Sequence, residues 1–147
     1  MAAQAYPEPT VGALILNPDG EVLLVRSHKW NDMYVMPGGH IELGERMEDA
    51  LRREILEETG LAIDDVEFLG YQEFIYDRAF WKQRHFIFFD YVCRASSKKV
   101  TLNDEAQEYA WVPLEETRTY PVEPYTRHTI EVYLQRETAR CSDGRTA

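Results

Sequence analysis

Strand-type runs on either side of one acidic helix, with a second helix closing the chain, predict a single domain of the α/β or α+β class. Three observations carry that reading. Apolar, β-rich runs occupy Thr10 to Leu16, Glu21 to Arg26, Val66 to Tyr76, His85 to Arg94 and Tyr109 to Val112. A charged segment bounded by Gly44 and Gly60 carries helical signals from about 46 to 58. Tyr125, Ile130, Tyr133 and Leu134 recur at roughly helical intervals between Pro124 and about Thr138. With 147 residues, 44% of them hydrophobic and 12% aromatic, the chain can bury a core without disulfides. The expected organisation is an extension over residues 1–8, one domain over 9–140 and a flexible tail over 141–147.

Taken in order, the first two runs flank Asn17-Pro18-Asp19-Gly20, a hairpin turn signal. That segment lacks the acidic ligand spacing and closing glutamate of a calcium loop. Pro37-Gly38-Gly39 predicts a tight loop with no side chain at its tip, which lets a phosphate or a metal-bound water approach the backbone. The helix that follows opens at Glu45, has Glu48 and Asp49 in its first turns where the macrodipole favours negative charge, and meets Gly60 where a left-handed cap is wanted. The runs at 66–76 and 85–94 form a second strand pair around the loop DRAFWKQR, and the run at 109–112 is a short further strand.

Glu54, Glu57 and Glu58 stand at i, i+3 and i+4, which places three carboxylates along one helix face. Met47, Ala50 and Leu51 project toward much the same side, so the acids sit at the edge of the core. A solvated, salt-bridged helix is the ordinary reading of such a segment, with Arg52 and Arg53 as partners. Here like charges repel at a half-buried edge, and a cation is needed to hold them. Carboxylate oxygens at that density suit a hard divalent ion, Mg²⁺ or Mn²⁺, and no cysteine or histidine cluster competes for a softer one.

Gly39, Glu45, Arg53, Glu54, Ile55, Glu57, Glu58, Gly60 and Leu61 fit the spacing G-x5-E-x7-R-E-U-x-E-E-x-G-U, with U apolar, at every specified position. On these residues the chain resembles the Nudix hydrolases. The resemblance implies an α/β protein with the Nudix fold, an α/β/α sandwich about a mixed central β-sheet. It also implies attack of water on a phosphorus atom of a nucleoside diphosphate derivative, with one to three divalent ions bridging carboxylates and phosphates. Matched residue by residue, Glu57 and Glu58 are metal ligands, Glu54 is a ligand or the general base, Arg53 orients the carboxylates, and Glu45 is a supporting group. MutT-type members add a glutamate from a loop just before a tryptophan-bearing strand, as ligand or base. Glu105 and Glu108, ahead of Trp111, are the candidates, and Glu105 is favoured because it lies in the loop.

Substrate contacts are expected from Arg26, Tyr34, Gly38, Gly39, His40 and Trp81. Arg26 ends the strand beside the box, where the family often uses an arginine for phosphate; a solvated strand-end arginine is the alternative. Tyr34 would stack on a base or pack under the loop, and His40 follows Gly39 where some relatives place a lysine near the phosphates. Phe80 and Trp81 beside Lys82 and Arg84 form an aromatic-basic cluster suited to stacking on a nucleobase, sealing a dimer or anchoring the core.

A formal net charge of -10 argues against a nucleic-acid polymer as partner, whereas a small phosphate ester fits once bound metal reverses the local sign. Cys93 and Cys141 belong to no C-x-x-C pair and read as thiols of a reducing compartment. MAAQAYPEP carries no signal-peptide pattern and no run approaches membrane-spanning length, so a cytoplasmic protein is expected. Small size makes a MutT-like nucleoside triphosphate pyrophosphatase, releasing monophosphate and pyrophosphate, the first expectation. An ADP-ribose or nucleotide-sugar pyrophosphatase and a non-catalytic nucleotide sensor are the alternatives. A sensor commonly loses the box carboxylates that this chain retains, and isopentenyl diphosphate isomerase chemistry would need a longer chain. Homodimers are common in the resembling family.

Overall fold

In a computed structural model, which describes residues 5–142, strand β1 (Glu8–Leu16) runs through a seven-stranded mixed sheet. Its burial on both faces follows from the nearly unbroken apolar run over residues 11–16. Strand β2 (Glu21–Ser27) follows the Asn17 turn, in which the Asn17 side-chain oxygen accepts from the backbone N–H groups of Asp19 and Glu21, both at 3.0 Å.

The hairpin expected from that turn pairs at Leu16 with Val22 and then opens. Past that point β1 and β2 diverge, and the chain from residue 33 to 40 fills the gap as β3 (Met33–Val35) against β2 and β4 (Gly38–His40) against β1. This corrects the loop expected at Pro37-Gly38-Gly39. The backbone groups of 38–40 find the edge of β1 that β2 has vacated, and a buried edge left unpaired would be costly.

Helix α1 (Met47–Thr59) closes on Gly60 at φ 75°, whose N–H donates to the Leu56 carbonyl at 2.9 Å, as the sequence predicted. Strands β5 (Asp64–Ile75) and β6 (His85–Arg94) form the second antiparallel pair, and β6 runs parallel to β1 in register from Glu8 with Phe86 to Leu16 with Arg94. Strand β7 (Glu108–Pro113) pairs with the outer edge of β2. Helix α2 (Pro124–Ser142) starts on a proline, which is preset for the first helical turn. Its first N–H groups are capped by the Glu123 carboxylate, which accepts from Tyr125 N–H at 2.8 Å and from Thr126 N–H.

Alternation along the strands builds two cores. Val11, Ala13, Ile15, Tyr91 and Cys93 pack against Ala50, Leu51 and Ile55 of α1. Leu14, Leu16, Val22, Leu24 and Val92 pack against Ile130 and Tyr133 of α2. The sheet is therefore sandwiched between the two helices.

Two expected boundaries move. Glu8, placed in the extension, is the first residue of β1 and pairs with Phe86, and α2 runs on through Cys141 to Ser142, helped by an Arg140–Glu137 contact of 3.3 Å one turn apart. Residues 1–4 of the extension and 143–147 of the tail lie outside the described residues. Cys93 is buried and Cys141 exposed, both as free thiols. No helix among the described residues is long and apolar enough to cross a membrane.

Candidate active site

Arg53 organises the acidic helix. Its guanidinium grips Glu45 with two bonds, Nε to Oε2 at 2.7 Å and Nη2 to Oε1 at 2.9 Å, and also donates to Glu54 Oε1 and to the His40 carbonyl, each at 3.0 Å. Glu57 lies 3.3 Å away on the next turn. The Arg53 hydrogen bonds hold Glu45 down at about 2 as a permanent anion, and that partner in turn raises Arg53. Glu45 is thus the anchor of the arginine.

Glu54 and Glu58 are less well compensated. Burial raises Glu54, and its bond to Arg53 opposes the rise. Burial, followed by the charge of Glu54, pushes Glu58 up to about 8. Strand β4 lies directly over both. The Gly38 N–H donates to Glu58 Oε2 at 3.3 Å, and a Cβ on Gly39 would collide with the Glu54 carboxylate. A Cβ on Gly38 would collide with the Val11 carbonyl, so each glycine is required by a different neighbour.

These groups border a cleft of about 300 Å³. Glu54, Glu58, Glu105, Gly38, Gly39 and His40 line it, whereas Glu57, Arg26, Tyr34 and Trp81 do not. Glu105 is paired with Lys29 at 2.9 Å, and its charge contributes to raising Glu58. Glu108 faces Arg26 Nε at 2.6 Å and the Tyr34 hydroxyl at 3.0 Å, contacts that lower it. Arg26 and Tyr34 are accordingly occupied with a carboxylate, outside the cleft. Glu57 is turned outward, with a side chain 55% exposed. His40 contributes to the lining, and its ring nitrogen contacts Glu8 at 2.8 Å. Trp81 packs edge-on against His28 with Lys82 Nζ 4.6 Å from its ring centre, while its neighbour Phe80 enters the cleft.

Other lining residues escaped the sequence reading: Trp30, Phe86, Phe88 and Tyr125 join Phe80, already singled out with Trp81, in an aromatic wall, with Trp30 and Phe80 at 4.8 Å and Phe86 stacked on Phe88 at 5.4 Å. Asp90 and Gln72 stand among them, and burial pushes Asp90 up to about 6 against the opposing hydrogen bond from Gln72. The available signal was the alternation Phe86-x-Phe88-x-Asp90, which puts an acid on the same face as two aromatics.

Among the described residues no three His, Cys, Asp or Glu side chains already converge as a closed metal cage. The donor set nevertheless fits a hard divalent cation. Glu54 and Glu58 are both raised by crowding and burial that a cation would relieve, and a hard ion of this kind commonly takes only one or two carboxylates, completing its shell from water and substrate phosphates.

A sandwich that holds poorly compensated carboxylates under bare backbone, beside an aromatic cleft, has the construction of a hydrolase acting on phosphate compounds. The NUDIX domain model matches residues 6–133, and the chain belongs to the Nudix family as a Nudix hydrolase. It is 36% identical over 103 residues to the nucleoside triphosphatase NudI of Salmonella paratyphi B, covering 66% of this chain and 73% of that protein. Its identity to the nucleoside triphosphatase NudI of Salmonella agona is 31% over 131 residues, 82% of this chain and 93% of the relative. Among solved structures, the MutT Nudix hydrolase of Burkholderia pseudomallei superposes with a TM-score of 0.72 at 26% identity, over 86% of this chain and 98% of that one. The Nudix domain of Shewanella oneidensis NrtR, solved with ADP ribose, superposes at 0.75 with 20% identity over 90% of each chain, a likeness of fold. Nudix hydrolases generally use divalent metal ions.

Proposed function

We propose that the protein hydrolyses a nucleoside triphosphate to a monophosphate and pyrophosphate, with Mg²⁺ as the working ion and Mn²⁺ as a substitute. The observation that carries this reading is the pair Glu54 and Glu58, raised and facing the cleft beneath the backbone of Gly38 and Gly39. The likeness to NudI nucleoside triphosphatases supports the triphosphate as substrate class. When bound, a divalent ion would neutralise polyphosphate charge and lower the pKa of a coordinated water.

The chain's own groups would do the rest. Glu54 and Glu58 would hold the ion from adjacent turns of α1, Glu105 would add a carboxylate from the loop before β7, and Glu57, exposed as it stands, would have to turn inward to join them. Arg53 keeps Glu54 oriented by its 3.0 Å bond and prevents the helix face from splaying. A carboxylate with a raised pKa is suited to take a proton from the attacking water, and that role is assigned to Glu54. Gly38 and Gly39 leave the backbone open to a phosphate, and the aromatic wall accommodates a base. The two free thiols agree with a cytoplasmic setting.

The test is product analysis by chromatography after incubating wild type and Glu58→Gln with Mg²⁺ and a panel of nucleoside triphosphates, ADP-ribose, sugar nucleotides and dinucleoside polyphosphates. Monophosphate and pyrophosphate from a triphosphate are expected, with at least about a hundredfold loss in the variant. Cleavage confined to ADP-ribose or sugar nucleotides would replace the substrate class.

A further inference from the structure

Three buried side-chain polar atoms among the described residues have no hydrogen-bond partner: Thr10 Oγ1, Asp90 Oδ1 and Arg136 Nε. Two of the three residues, Thr10 and Asp90, line the active-site cleft. They sit on neighbouring strands, where β1 and β6 pair Thr10 with Phe88 and Gly12 with Asp90, so Thr10, Phe88 and Asp90 share one face of the sheet. Asp90 is only 4% exposed.

The other oxygen of Asp90 is firmly held. Oδ2 accepts from Gln72 Nε2 at 2.9 Å, and the same amide nitrogen stands 3.0 Å from the Tyr125 carbonyl and 3.2 Å from Thr129 Oγ1. Three acceptors around one nitrogen determine which way the Gln72 amide faces. Thr129 gives its own hydrogen to the Tyr125 carbonyl at 3.1 Å. Asp90 Oδ1 is therefore an oriented acceptor without a donor, and native interiors seldom carry one without a use. Around it stand flat rings, with Phe88 5.6 Å from Tyr125 and 6.0 Å from Trp30. Such walls take a heteroaromatic ring, and an acceptor among them meets that ring at its edge.

We propose that Asp90, positioned by Gln72, determines base specificity by accepting a hydrogen bond from an amino or ring N–H group on the edge of the substrate's nucleobase. This rests on the reading of the cleft as a nucleotide site. A base that presents only acceptors or a methyl group at that edge leaves Asp90 unpaired and is rejected.

Asp90→Asn is nearly isosteric, and because Gln72 Nε2 requires an oxygen opposite it, the new amide nitrogen replaces Oδ1 and turns the acceptor into a donor. Calorimetry in EDTA would measure binding of dCMP, dUMP, dAMP and dGMP and of their counterparts methylated at the edge N–H. Turnover of the corresponding triphosphates with Mg²⁺ would be followed in parallel. In wild type at least one native monophosphate should bind about tenfold or more tighter than its methylated form, and Asp90→Asn should bring that ratio near one. Gln72→Leu, which keeps the carboxylate but frees it to rotate, should reduce the ratio as well and serves if the first variant fails to fold. An equal ratio in wild type and both variants would assign the penalty to methyl bulk and overturn the proposal, as would a ratio near one for every pair. Base-selective binding without turnover would retire the triphosphatase reading alone, whereas turnover without selectivity would retire this one.

Discussion

Glu58, a proposed metal ligand, is buried at a cost to the fold. Its carboxyl keeps a proton up to about pH 8 in the folded chain and loses it near 4.5 when unfolded, so the native state binds more protons across that window. Metal-free protein should consequently lose stability as pH rises from 4.5 to 8, each pH unit within the window being worth at most about 1.4 kcal/mol. Asp90 adds the same trend between 3.8 and about 6. Urea midpoints measured in EDTA at pH 5 and pH 8 should fall toward the higher pH, and Glu58→Gln should flatten the trend; a rise in both proteins would refute the environment described. A second contrast separates Glu105 from Glu108. Glu105 lines the cleft, while Glu108 is taken up by Arg26 and Tyr34, so Glu105→Gln should lower kcat roughly tenfold or more and Glu108→Gln by less. The reverse order would transfer the role to Glu108.

At the scale of elements, α1 and β4 make the site together. The helix presents the carboxylates and the strand lays unshielded backbone across them, which is possible only because two consecutive residues lack a Cβ. Gly39→Ala should displace Glu54 and cut activity by about a hundredfold or more while the fold persists, since the colliding group is a side chain that can move. Gly38→Ala should instead cost roughly 1 to 3 kcal/mol of stability, because a Val11 carbonyl in the sheet cannot yield. Thermal melts and steady-state kinetics on both variants would separate the two effects, and equal melting with equal activity would disprove the assignment. The helix and its Gly60 cap were legible in the sequence because caps and periodicity are local. Strand β4 was not, because its pairing depends on β2 parting from β1 beyond Leu16 and Val22, which no spacing within residues 37–40 encodes.

Over the whole molecule, folding and chemistry draw on different groups. The two apolar cores lie on opposite faces of the sheet and include none of the candidate ligands. Chelation with EDTA should therefore abolish turnover and leave the circular dichroism spectrum unchanged; loss of structure would show that metal is part of the fold. Sequence alone determined the family and the positions of the acidic box, because that information lies in local spacing along one helix, and it located most strands because alternation is local too. Glu54, Glu58, Glu105 and the glycine pair, which line the cleft, were accordingly legible as candidates. Tertiary structure decided which candidates share a cleft: it directed Arg26 and Tyr34 to Glu108, turned Trp81 outward while Phe80 turned in, and gathered Asp90, Gln72 and Tyr125 from three elements. The physical reason is that burial and hydrogen-bond partnership across long sequence separations arise only when the sheet has closed, and no spacing within a single segment encodes them.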